Sequence, residues 1–136
     1  MKLHHLLAVA LLAPLLATAR TPAPPDAEVY FITPTDGATV TSPVTVRFGL
    51  RGMGVAPAGI QQDATGHHHL LVDTDLPALD QPVPADAHHR HFGAGQTETT
   101  LTLEPGTHTL QLLLGDFAHI PHEPPVMSPK ITITVE

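Results

Sequence analysis

Val44-Thr45-Val46-Arg47-Phe48-Gly49-Leu50 alternates apolar and other residues. That period of two is the mark of a strand with one buried face. Working towards the N-terminus, Thr35-Asp36-Gly37-Ala38 reads as a turn, with Gly37 free to take a positive φ. Before it, Val29 to Thr33 reads as a strand ended by Pro34. Towards the C-terminus, a long loop from Arg51 to Gly66 leads into a strand from His67 to Asp73. A second long loop, Thr74 to Ala87, carries Pro77, Pro82 and Pro84 and precedes a short strand at His88 to Phe92. Strands follow at Thr97 to Leu103 and His108 to Leu114, with a type II turn at Pro105-Gly106 between them. A Pro-rich loop from Gly115 to Met127 then leads to Ile131, Ile133 and Val135 on a closing strand. No segment has a helical period. The expected class is all-β, as a single seven-stranded antiparallel sandwich of immunoglobulin type, with a small barrel as the alternative.

The chain has 136 residues, enough for one domain, and no Cys, which excludes disulfides, thiolate metal sites and a Cys nucleophile. A net charge of −7 argues against nucleic acid and anionic membrane as partners. The 11 histidines make the charge sensitive to mild acid. Lys2, an apolar run from Leu6 to Leu16 and Ala17-Thr18-Ala19 fit a secretory leader cleaved after Ala19. The run is short for a membrane span, and Pro14 interrupts it. The expected organisation is therefore a signal peptide at 1–19, a Pro- and Ala-rich tether at 20–27, and a domain at 28–136. Export to a periplasm or to the medium follows, with no membrane insertion once the leader is removed.

Gly66-His67-His68-His69-Leu70-Leu71-Val72-Asp73 puts three histidines at the head of a strand. Strand alternation places His67 and His69 on one face, roughly 7 Å apart, and His68 on the other. His89-x-His91 repeats the spacing, and His119-x-x-His122 brackets Pro121 in a loop. In a sandwich with up-and-down strands, the connections after the second, fourth and sixth strands gather at one end. All three histidine pairs fall at that end. His67, His69, His89, His91, His119 and His122 are thus the candidate metal ligands, for one Cu or Zn ion and no organic cofactor. Met53 and Met127 would add soft donors, and Asp116 a ligand or an acceptor for an imidazole N–H.

The competing readings are structural. A single His near a strand end usually meets solvent or a backbone carbonyl. His68 shares a face with Leu70 and Val72 and reads as a core-edge residue, His88 as exposed, and His108 as a cap on the core. A hydrogen-bonded histidine network that stiffens the loops competes with metal binding, and a pH-responsive surface is a third reading.

Several stretches carry a family resemblance. They are Val29-Tyr30-Phe31-Ile32 with Pro34-x-Asp36-Gly37, Phe48-Gly49-Leu50-x-Gly52-Met53-Gly54-Val55-Ala56-Pro57-Ala58-Gly59, and Gly66-His67-His68-His69-Leu70-Leu71. Phe92-Gly93-x-Gly95-Gln96-Thr97, Leu110-Gln111-Leu112-Leu113-Leu114-Gly115-Asp116 and His119-x-Pro121-His122 complete the set. With these motifs the chain resembles a bacterial family of uncharacterised secreted domains known as DUF4399. The resemblance implies an exported, immunoglobulin-like β domain and brings no activity, substrate or cofactor with it.

Three functions compete at this level. The first is an exported His-rich metal-binding protein for copper or zinc, in storage, delivery or resistance. The second is a non-catalytic immunoglobulin-like module that binds an envelope protein or a glycan, its histidines structural. Phe92, Phe117 and Tyr30 are the aromatic candidates for a glycan surface. The third, a metalloenzyme, needs a base such as Asp116 or Glu123 beside the metal. No Gly-x-Ser-x-Gly nucleophile motif is present, and no catalytic residue is assigned.

Overall fold

The computed structural model describes residues 19–136. The expected leader, apart from Ala19, lies outside the described residues. Within them the chain forms nine strands and no helix. The strands are β1 (Glu28–Thr33), β2 (Thr39–Val40), β3 (Val44–Arg51), β4 (Gly54–Val55) and β5 (Thr65–Val72). After them come β6 (His89–His91), β7 (Glu98–Leu101), β8 (Gly106–Gly115) and β9 (Ile131–Val135).

They make a three-stranded sheet in the order β1-β3-β7 and a six-stranded sheet in the order β2-β9-β8-β5-β4, with β6 also on β5. The all-β class is as the alternation predicts, but the count of seven antiparallel strands is corrected to nine in two sheets. The two additional strands are two-residue pieces, β2 and β4, too short to have a periodicity. Both pair in parallel, β2 with β9 and β4 with the start of β5.

The placement of β6 matters most. In the constant-type immunoglobulin arrangement the fourth strand joins the sheet of the first, second and fifth. Here β6 pairs instead with β5, antiparallel, with His69 opposite His91 and Leu71 opposite His89. On its other side β5 pairs with β8, His67 opposite Gly115 and His69 opposite Leu113.

The main core lies between the sheets. Val29, Val44, Val46 and Phe48 of one sheet meet Leu70, Val72, Leu110, Leu112, Leu114 and Ile133 of the other. Each such side chain, fully buried, contributes about 1.5–3 kcal/mol. On β5 the core-facing set is His68, Leu70 and Val72, as alternation requires. The opposite face of β5 and β8 is covered as well. Leu71 and Leu113 pack there with Val83 and Leu79 from the long 74–87 loop. From Gly66 to Val72 every residue of β5 is therefore buried. A sheet face that an open sandwich leaves to water is here roofed by a loop.

The C-terminal half of β8 gains a further neighbour. The amide of Leu114 donates to Val126, that of Ser128 donates to Leu112, and Gly115 bridges to Pro121. The 116–128 loop thus runs back along β8 instead of projecting from it.

Candidate metal centre

Period-two alternation sends His67 and His69 to the roofed face. Antiparallel pairing sets His91 beside His69 on the same face, because directly opposed residues share a side. The loop after β8 folds back over this end and adds His119. The ligand nitrogens of these four histidines all lie within 4.8 Å of one another. His67 Nε2 and His119 Nδ1 are 3.1 Å apart, one donating to the other. Ring centroids within the group lie between 4.7 and 6.1 Å apart. Nitrogens on a tetrahedral zinc, at about 2.1 Å from the ion, are about 3.4 Å apart. Closing the group around an ion therefore asks the widest pair to approach by about 1.4 Å.

Local sequence makes room for the rings. A Cβ on Gly115 would fall 2.6 Å from His69 Cε1, and one on Gly93 would fall 2.2 Å from His91 Cε1. His119 has φ +67, a conformation that costs a non-glycine residue about 1–2 kcal/mol. Asp116 offsets that cost. Its Oδ1 accepts from the amides of Ala118 (2.9 Å) and Ile120 (3.0 Å), and its carbonyl accepts from the amide of His119 (2.9 Å). The carbonyl of His119 in turn accepts from Val83 of the roof at 2.9 Å.

The group is buried on one side and open on the other. His67 and His69 are 0% and 1% exposed, His119 is half-buried and His91 is exposed. His91 also lines an open groove of about 680 Å3 between β6 and β7, with His89, Arg90 and Thr99. His69 has no hydrogen-bond partner at either ring nitrogen, and His67 has none at Nδ1. A buried polar atom without a partner is costly and rare. Burial, reinforced by the neighbouring imidazoles, pulls His67 down to about 4 and His69 down to about 3. Burial and His119 also lower His91. At neutral pH these rings are neutral, the form that binds a metal.

The other sequence candidates lie elsewhere. His89 is on the same face as His91 but outside the group, its Nδ1 2.8 Å from Asp86 Oδ1. His122 is fully buried, and its Nε2 donates to the carbonyl of Thr65 at 3.1 Å. His68 sits in the main core against Phe48. His88 donates to the carbonyl of Val72 at 2.8 Å. His108 is held by Asp73 and the carbonyl of Glu104. Met53 packs against the core, and Met127 is 40% exposed. Asp116, a sequence candidate for a ligand or an imidazole acceptor, instead braces the loop backbone and accepts from Thr21. Glu123 pairs with Arg20 at 2.7 Å. Of the aromatic candidates for a glycan surface, Phe92 is buried against Phe48, and Tyr30 lies over Gly49, whose added Cβ would meet its ring.

Sequence reading missed the roof and the N-terminal stretch. Leu79 and Val83 are, with the more exposed Leu76, the large apolar residues of a Pro-rich loop, and that is their one signal. Arg20 to Ala23, expected as a tether, lies against the 121–123 segment, with Pro22 bridging to Glu123. Nothing in its composition distinguishes it from a free linker.

A family model described as a domain of unknown function (DUF4399) matches residues 46–136. Comparison with curated proteins and with solved structures gave no match.

Proposed function

The chain belongs to the DUF4399 family, and from that premise and the histidine cluster we propose that it is an exported metal-binding protein. It holds one copper or zinc ion at His67, His69, His91 and His119, for storage, delivery or resistance. The observation that carries this reading is the convergence of four imidazoles, two of which, His67 and His69, have buried nitrogens with unmet hydrogen-bonding capacity. A metal ion answers that need, and all-imidazole donors suit zinc, copper or nickel. Two features favour holding an ion over hydrolysing a substrate. Four ligands close a tetrahedral zinc and leave no open position. The carboxylates considered as bases are engaged, Asp116 by backbone amides and Thr21, and Glu123 by Arg20. Export rests on the leader pattern of residues 1–19, and the partner for loading or release is an envelope protein.

The test is metal content of the untagged protein after titration with zinc and with copper and removal of free ion. One equivalent should remain bound, and His69→Gln/His91→Gln should lose it. Retention of full stoichiometry and affinity in that double variant would overturn the assignment.

A further inference from the structure

The N-terminal stretch reaches the metal centre through a chain of bonds. Thr21 Oγ1 donates to Asp116 Oδ2 at 2.6 Å. The other oxygen of that carboxylate holds the amides of Ala118 and Ile120, which flank His119. Arg20 grips the far end of the same loop. Its guanidinium donates to the carbonyl of Pro121 at 3.3 Å, donates to that of His122, and pairs with Glu123. Backbone bonds complete the seam, from Ala23 to the Glu123 carbonyl (3.0 Å) and from Glu123 to the Thr21 carbonyl (2.9 Å). His119 is the one member of the four-histidine group that comes from a loop, and its backbone is in the left-handed region. Asp116 braces that backbone from within the loop, and Arg20 and Thr21 add a hold on it from the N-terminal stretch.

We propose that Arg20 and Thr21 form a clasp that positions His119 as the fourth metal ligand. This rests on the metal-binding reading above and extends it to residues that precede the 46–136 family match. The clasp touches no ion. It acts through the Asp116 carboxylate and the loop carbonyls, so Arg20 and Thr21 are positioning residues. Without the Thr21 hydroxyl, Asp116 Oδ2 loses its donor, the turn loosens, and His119 samples positions off the site.

The test uses the purified protein with Thr21→Val, and with Thr21→Ser as the conservative replacement. Hydrogen exchange of the metal-free protein reads the clasp directly. The Ala118, His119 and Ile120 amides should exchange faster in T21V and return to wild-type rates in T21S. Zinc titration reads its consequence. The dissociation constant should weaken about 10- to 100-fold in T21V, the usual effect of losing a group that orients a ligand, and recover in T21S. Unchanged exchange in T21V would overturn the clasp, as would faster exchange with an unchanged zinc dissociation constant. If the wild type binds neither zinc nor copper, the proposed function fails, and the positioning of a ligand fails with it. Faster exchange in T21V would then leave the clasp as a brace for the loop alone.

Discussion

His67, His68 and His69 are consecutive and equally buried, yet they have different chemical fates. The outward pair meets other imidazoles. His68 points into the apolar core, with its ring centroid 5.1 Å from that of Phe48 and neither nitrogen bonded. Burial alone pulls it down to about 4. A polar ring left unpaired in a core lowers stability, and an apolar side chain of similar size removes that deficit. His68→Leu should therefore raise the unfolding free energy by about 1–2 kcal/mol in denaturant titration. Its zinc affinity should stay at the wild-type value, in contrast to changes at His67 or His69. A loss of stability would mean that His68 has a bonding partner, such as a buried water.

At the scale of elements, the site exists because two loops behave as layers. The 74–87 loop covers the outer face of β5 and β8 through Leu79 and Val83, and Val83 also holds the His119 carbonyl. Val83→Ala should cost about 1.5–2 kcal/mol from the lost burial, plus a smaller cavity contribution. It should also weaken zinc binding, since Val83 packs on the face of β5 that carries His67 and His69 and its amide holds the His119 carbonyl. Denaturant titration and zinc titration on one sample separate the two effects. A fall in stability with no change in affinity would limit the roof to packing. The edge strand β6 is the second decisive element. It brings one member of the histidine group, His91, because His91 and not Arg90 or His89 is in register with His69.

For the molecule as a whole, the proposed metal would compete with protons for His67, His69 and His91. His67, His68, His69 and His91 have folded-state pKa values below the ordinary 6.5. The unfolded chain therefore binds more protons between the folded values and 6.5, and stability rises with pH across that window. Metal-free protein should be most stable above about pH 6.5 and should lose stability as the pH falls towards 4. Each of these groups adds a slope of at most about 1.4 kcal/mol per pH unit. His108 runs the other way. Its hydrogen bond with Asp73 raises its pKa, so its contribution is complete below 6.5 and is lost as pH rises through the raised value. One exposed pair of this kind does not offset several buried rings. Zinc at 100 times its dissociation constant should add about 2.7 kcal/mol at neutral pH. That corresponds to a rise of about 10 °C in Tm for a domain of this size. The increment should shrink as acid protonates the ligands. A Tm that ignores both zinc and acid would contradict this account.

Seven of the nine strands were legible in the sequence because side-chain alternation is a local property of extended chain, and the two-residue β2 and β4 are too short to show it. The same property separated His67 and His69 from His68, while the expectation from up-and-down connectivity that all three histidine pairs share one end did not say which of them would meet. The choice among the pairs was not local. Which strand β6 joins, how the 74–87 loop roofs the outer face, and where the 116–128 loop folds back are set by contacts between residues far apart in sequence. Those contacts gathered His67, His69, His91 and His119, gave His89 to Asp86, and turned His122 to the carbonyl of Thr65. They also laid Arg20 to Ala23 along the loop that holds His119. A period of two fixes the face on which a side chain stands. Only the packing of distant segments decides whether that face meets water, an apolar roof or three other imidazoles.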